Sequence, residues 1–312
     1  FNCIFTSILL YLYLLQKSKY SQSNTEKTYS EVKSYLEDNK KVLYSGTPCQ
    51  IAGLNAFLDL ELSNKISQDK LITVDLLCSH VPSPKVFKQY LNENYDISKI
   101  KSFTFRDKQY GWNPSVMKIE FTDGKIEYKD WNNDYLQKAF HPCLLMNKTC
   151  EHCFWSKLPR TGDITIGDFW GIESYNPLFS DKKGTSAVLI NTEKGKDLFS
   201  KISNKLIISE AVPLELHKQG QLCGYRKRHP LQDMFLDLIK THSFNDSVKY
   251  CLTPHYDIGL LSLWTSNNYG TCITYFSLYK ILKSMGYVVT LFDRTMDSPY
   301  PPPIAQVNSH KV

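Results

Sequence analysis

The sequence predicts an α/β fold, and three observations carry that expectation. Short runs rich in Val, Leu and Ile alternate with stretches of helical periodicity, cysteines follow closely on two of those runs, and the segment after Pro254 carries its own strand-helix-strand pattern. A chain of 312 residues with 42% apolar side chains can bury a sizeable core, and its length suggests two domains. The 37 basic and 31 acidic residues are spread along the chain, which argues against a nucleic-acid surface. The densest basic run, Arg226-Lys227-Arg228-His229, reads as a solvated turn.

In chain order, Tyr29 to Asn39 reads as a helix with Val32, Tyr35 and Leu36 on one face, feeding a short buried strand from Lys41 to Tyr44. Gln50 to Leu58 is the next helix, with Ile51, Ala52, Leu54, Phe57 and Leu58 apolar, so Cys49 is expected in the turn before it. Leu71 to Leu77 is a second strand that ends at Cys78 and the Pro-rich turn Val81-Pro82-Ser83-Pro84. A helix from Pro84 to Asn94 opens on its proline. A strand from Ile100 to Phe105 follows, then a hairpin of Val116 to Phe121 and Ile126 to Tyr128 joined through Asp123-Gly124. Asp163 and Asp168 flank a short strand, Ile164 to Ile166, and strands at Ser186 to Asn191 and Leu206 to Ser209 bracket a helix from Glu193 to Ile202. A composition shift near Tyr250 to Pro254 marks a boundary. Beyond it come a strand (Tyr256 to Leu263), a turn (Asn268-Tyr269-Gly270), a helix (Thr271 to Met285) ended by Gly286, and a strand (Tyr287 to Asp293). The expected whole is a mixed α/β domain followed by an incomplete Rossmann-like β-α-β unit.

Cys49 and Cys78 thus emerge at the carboxyl ends of two strands that the intervening helix makes parallel and adjacent, the end of an open α/β sheet where ligands bind. Cys150-Glu151-His152-Cys153 adds a chelating turn able to grip one corner of zinc or of an iron-sulfur cluster. A buried small apolar side chain is the alternative for a lone Cys such as Cys78, and a redox dithiol the alternative for the pair. No strand leads into the pair, which favours metal. A zinc site of two knuckles would show a second Cys-x-x-Cys, which the chain lacks. Cys143 is the nearest rival ligand, while Cys3, Cys223, Cys251 and Cys272 have no assigned role. Nine cysteines without secretory context favour the reducing cytoplasm. The apolar stretch from Cys3 to Leu15 is too short for a membrane span, which needs ~20 residues, and lacks the basic start of a signal peptide. Residues 1–18 are expected to be the truncated or artefactual edge of a longer protein, with a buried core helix as the alternative.

Several motifs taken in order carry a family resemblance: Lys19-Tyr20-Ser21-Gln22-Ser23, Ser45 to Leu54, Val74 to Pro84, Phe105-Arg106-Asp107-Lys108 with Gly111-Trp112, and Cys150-x-x-Cys153 followed by Arg160-x-Gly162-Asp163 through Gly171. From about Lys19 to about Arg228 the chain resembles the beta-subunit family of coenzyme F-420 hydrogenases and dehydrogenases, flavin and iron-sulfur oxidoreductases. The resemblance implies one 4Fe-4S cluster held by Cys49, Cys78, Cys150 and Cys153. It also implies a flavin, FAD in relatives, near Ser45, Gly46, Thr47, Pro48 and Gln50, with Asp168 a hydrogen-bond acceptor for it or a structural turn residue. Relatives commonly carry a ferredoxin-like region and further flavin-binding chain at their amino end, and neither precedes Lys19. FAD is therefore expected to be weakly held or absent, and a ferredoxin or ferredoxin-like domain is the implied electron partner. Tyr256 to Leu261, Asn267 to Gly270 and Gly286-Tyr287 resemble the opening of the polysaccharide pyruvyl transferase family.

The expected organisation is an edge at 1–18, a beta-subunit-like domain at 19–250 and a pyruvyl-transferase-like fragment at 255–312. The expected function is a cytoplasmic iron-sulfur flavoprotein module passing electrons between a ferredoxin-type donor and a flavin. Its parent would act on a small-molecule or glycan-related substrate, with no nucleic acid and no membrane span. His80 is the candidate proton donor, against a turn histidine that bonds backbone. Two other readings stand beside this one: a pyruvyl transferase whose amino-terminal part is a metal-stabilised scaffold, and a structural zinc protein.

Overall fold

The computed structural model describes residues 18, 20–61, 68–112, 116–179, 183–206, 209–217, 220–253, 256–261, 269–293 and 305–307. The expectations placed on residues 1–17 and on Asn267-Asn268 lie outside them, as do parts of the Leu206 to Ser209 and Tyr256 to Leu263 strands. Leu206 and Ser209 themselves belong to no regular element.

The described elements are α1 (Thr28–Glu37), β1 (Val42–Gly46), α2 (Pro48–Glu61), β2 (Leu71–Leu76), α3 (Pro84–Asn94), β3 (Ile100–Asp107), β4 (Val116–Phe121), β5 (Ile126–Asp130), α4 (Tyr135–Phe140), β6 (Ile164–Asp168), β7 (Ser186–Ile190), α5 (Glu193–Ile202), α6 (Gly220–Cys223), α7 (Gln232–Leu238), α8 (Phe244–Leu252), β8 (Ile258–Leu261), α9 (Tyr269–Ser284), β9 (Val289–Asp293) and β10 (Ala305–Val307). Contacts divide the chain into two compact units between Tyr250 and Cys251.

In the first unit a four-stranded sheet has the order β1-β2-β6-β7. β1 pairs parallel with β2, β2 parallel with β6, and β6 antiparallel with β7. The parallel β1-β2 pair follows from the helix between them, since a crossover returns the chain to the same end of the sheet. Alternation decides which face is covered. Val42, Tyr44 and Leu71 turn inward and pack with Val32 and Leu36 of α1 and Ile51, Leu54 and Leu58 of α2. A second, antiparallel sheet of order β3-β4-β5 contains the hairpin. Near it Tyr90 of α3 meets Phe244 of α8, and Phe244 meets Phe235 of α7, each edge-on.

The second unit holds a parallel pair, β8 and β9, joined by α9, with β10 antiparallel to β9. β10 was not expected from the sequence, because three residues carry too little periodicity to mark a strand. Gly286 closes α9 with a positive φ of 92°.

Candidate functional site

The carboxyl end of the four-stranded sheet gathers the site. Here the sequence reading needs one correction: Cys49 lies not in a turn but in the first turn of α2, which starts at Pro48. Proline is favoured there because its fixed φ suits the helix and its missing N–H would find no partner. Gln50 caps the helix from within, its Oε1 accepting from the Thr47 backbone N–H at 3.0 Å and the Thr47 hydroxyl at 3.1 Å. Its Nε2 donates to the Ser23 carbonyl at 3.2 Å. A Cβ on Gly46 would stand 3.0 Å from that same Oε1, so a larger residue there would press on the Gln50 side chain. The Thr47 hydroxyl also lies 3.2 Å from the Cys49 sulfur, and Gln22 Nε2 lies 3.8 Å from it.

Cys78 leaves β2 two residues after its end, and its segment runs beside the one that leads into Cys150. The Asn147 N–H donates to the Val81 carbonyl at 2.8 Å, and Pro82 bridges Met146 antiparallel. Lys148–Cys150 is a single tight turn capped by Asn147, and the Cys153 N–H reaches the Cys150 carbonyl at 3.3 Å. The Thr161 hydroxyl donates to the Pro48 carbonyl at 3.2 Å and so ties the next loop to the start of α2.

The electrostatics bring the four thiols together. The Cys78 thiol is pushed up to about 12, chiefly by burial, then by the neighbouring Cys150, Cys49 and Cys153, with Arg160 opposing. Cys150 is raised by burial first, with Cys153 and Cys49 adding to the rise, while the Val81 backbone N–H bonds its sulfur and opposes it. The Cys49, Cys78 and Cys150–Cys153 thiols, far apart in sequence, thus lie within electrostatic reach of one another. Among the described residues no three His, Cys, Asp or Glu side chains gather tightly enough to hold a single metal ion. Cys143 is buried and has a positive φ of 64°. Its thiol is raised by burial, with the Arg226 charge opposing, and none of the four cysteines contributes.

Behind Cys78 lies a buried ion pair that the sequence reading missed. Arg160 Nη2 sits 3.3 Å from Asp75 Oδ2, and both side chains are fully buried. Arg160 also donates to the Leu76 carbonyl at 3.0 Å and the Trp155 carbonyl at 3.1 Å. Asp75 accepts from the Thr161 hydroxyl at 3.0 Å. The available signal was an Asp inside an otherwise apolar strand, which demands a partner.

Two other expected site residues have different surroundings from those anticipated. Asp168 ends β6 and pairs with the Arg106 guanidinium. Arg106 in turn lies over the rings of Trp112 and Trp170, 5.2 Å and 5.0 Å from their centroids. His80 is buried and stacked on Phe140 at 4.3 Å between centroids. Burial, and after it the Arg226 charge, hold its pKa down to about 4. It is therefore a packed neutral ring near pH 7 that stacks on Phe140 and also bonds its backbone, in keeping with the backbone-bonding histidine expected as the alternative.

Parallel strands whose carboxyl ends lead into cysteine-bearing segments define an α/β module. Residues 39–213, more than half of the chain, match the family described as the C-terminal part of the coenzyme F420 hydrogenase/dehydrogenase beta subunit, and the chain belongs to that family. Among solved structures it is similar to a chain of the F420-reducing [NiFe] hydrogenase complex from Methanosarcina barkeri, studied by xenon derivatization. The identity is 17% and the TM-score 0.39, over 75% of this chain and 68% of that one. No helix among the described residues is long and apolar enough to cross a membrane.

Proposed function

We propose that this chain is an oxidoreductase module in which Cys49, Cys78, Cys150 and Cys153 hold one 4Fe-4S cluster. The observation that carries the reading is that hydrogen bonds tie the cysteine-bearing segments together, Asn147 to Val81 and Thr161 to Pro48, with Cys78 within electrostatic reach of the other three thiols. An all-sulfur donor set of this kind suits a soft iron-sulfur centre. Bound there, the cluster supplies one-electron exchange. The chain's own part is to hold the sulfurs: Val81 bonds the Cys150 sulfur, Thr47 meets the Cys49 sulfur, and the Arg160 charge favours the Cys78 thiolate. The buried Arg160–Asp75 pair keeps that charge fixed behind the site.

A flavin beside Ser45, Gly46, Thr47, Pro48, Gln50 and Asp168 rests on the family resemblance alone. The Thr47 N–H and hydroxyl are engaged by Gln50, and Asp168 is paired with Arg106. These residues do not form a free cradle for FAD, and the mechanism contains no flavin step. A ferredoxin-type carrier in the cytoplasm is the proposed electron partner. The parallel β8-α9-β9 order of the second unit is consistent with residues 255–312 opening a pyruvyl-transferase-like domain with a glycan-related substrate. Calorimetry of the chain with phosphoenolpyruvate tests that part, and absence of binding removes it.

The cluster is tested by anaerobic reconstitution with iron and sulfide. The native chain should gain a broad absorbance in the blue and about four irons per chain, the content of one such cluster. Cys78→Ser should lose most of it, and Cys223→Ser should not. Unchanged iron in Cys78→Ser would overturn the four-ligand assignment.

A further inference from the structure

We propose that the segment from Cys223 to Gln232 is a clamp that positions Cys150 and Cys153 and sets the charge beside them. It lies beyond the family match, which ends at residue 213. Gln232, buried at the start of α7, donates its side-chain amide to three successive-turn carbonyls of the loop entering the cysteines: Met146 at 2.7 Å, Leu144 at 3.2 Å and Cys143 at 3.5 Å. The His229 N–H adds a bond to the Cys143 carbonyl at 3.4 Å. On the far side of the pair, Lys157 bridges Cys223 in antiparallel register. Between these anchors Arg228 Nε meets Glu151 Oε1 at 3.0 Å, and Glu151 stands between the two cysteines in sequence. The other end of the Arg228 guanidinium is fixed by Asp233 of α7 at 3.0 Å.

Two consequences follow from general chemistry. The side chains of Cys143 to Met146 are packed in the core, and the buried carbonyls beside them still need donors, which the Gln232 amide supplies together with backbone N–H groups. A fixed cation and a fixed anion beside a redox centre shift its potential in opposite directions, because the cation favours the more negative reduced form and the anion opposes it.

The charge part rests on the cluster reading, and the positioning part does not, so the two are measured separately on the full chain. In the metal-free protein, Gln232→Met keeps the side chain's bulk and removes its donors. Alkylation of Cys150 and Cys153, followed by mass spectrometry against a co-added reference thiol peptide, should accelerate about tenfold, the factor that ~1.4 kcal/mol of lost restraint yields. Far-ultraviolet circular dichroism checks that the variant is folded. Where Gln232→Met fails to fold, Gln232→Leu serves instead. It likewise removes the donors and should accelerate alkylation in the same way. Rates unchanged in the folded variant overturn the clamp. In the reconstituted protein, Arg228→Gln should lower the midpoint potential and Glu151→Gln should raise it, with Arg228→Lys restoring most of the native value. Shifts of the same sign in both variants would mean loosening of the loop and would overturn the charge assignment. A native chain that takes up no iron would overturn both the cluster and the charge assignment, while the alkylation rates would still judge the positioning.

Discussion

Arg160 and Asp75 are each other's main compensation for burial: a guanidinium and a carboxylate with fully buried side chains, one on the loop after the cysteine pair and one on β2. Removing one partner of such a pair strands the other, which costs more than the pair itself contributes. Arg160→Met is therefore expected to lose about 3–5 kcal/mol in urea unfolding. The double variant Arg160→Met with Asp75→Leu should lose clearly less than the two singles added together; additivity would show that the two groups do not interact. Asp134 is a different case. It caps α4 by accepting from the Gln137 N–H at 3.0 Å and takes the Tyr90 hydroxyl at 2.5 Å. Burial, the largest cause, raises its pKa against the lowering effect of those bonds. A carboxyl raised on folding binds its proton more tightly in the folded state. The stability it contributes is present below the unfolded value and is lost as pH rises through the folded one. Asp134→Asn keeps an acceptor for both bonds and has no such loss. Its stability relative to the native chain should improve from pH 4 to pH 7, and a difference that does not change with pH would refute the assignment.

At the scale of elements, the joint between β6 and α5 decides how closely the helix approaches the sheet. Asp163 accepts from the Thr73 N–H at 2.8 Å and the Thr73 hydroxyl at 3.0 Å on β2, and from the Thr192 hydroxyl at 2.6 Å at the start of α5. One carboxylate thus joins two strands and a helix. Gly195 lets α5 descend onto that joint, since a Cβ there would run into the Asp163 carbonyl oxygen. Gly195→Ala would ordinarily favour a helix, by up to ~1 kcal/mol at an exposed interior position. Here the backbone contact cannot yield as a flexible side chain would, and the variant should be destabilised by about 1–3 kcal/mol. Thermal unfolding distinguishes the two, and a raised melting temperature would mean that α5 is not held this close.

At the scale of the whole first unit, the loop from Pro142 to Asp163 carries the Cys-x-x-Cys between two anchored ends, and metal-thiolate bonds would replace core packing in holding its middle. Chelation of iron from the reconstituted chain should therefore lower its melting temperature and open this loop to limited proteolysis, while α1, β1 and α2, which have their own core, stay protected. Cleavage appearing first within α2 would contradict that division. The second unit should be indifferent to iron, because none of the four cysteines belongs to it.

The sequence by itself determined the elements whose periodicity is strong and local. α3 and α5 have the bounds expected of them, and the β4-β5 hairpin turns at Asp123-Gly124 as its turn chemistry requires. It also determined that β1 and β2 run parallel, since the intervening helix leaves the chain one way back. Cys49, Cys78, Cys150 and Cys153 were legible as candidates because each follows an element end or forms a chelating pair. The start of α2 was misplaced by two residues because Pro48 reads equally as a turn or a first helical residue. The partners of Asp168, His80, Arg160 and Gln232 were decided only in three dimensions. Asp168 finds Arg106 at 62 residues' separation, Arg160 finds Leu76 at 84, and Gln232 finds Met146 at 86. No local pattern encodes such pairings, because each follows from how sheets and loops stack, and an unsatisfied buried group accepts whichever complementary partner that stacking brings within reach.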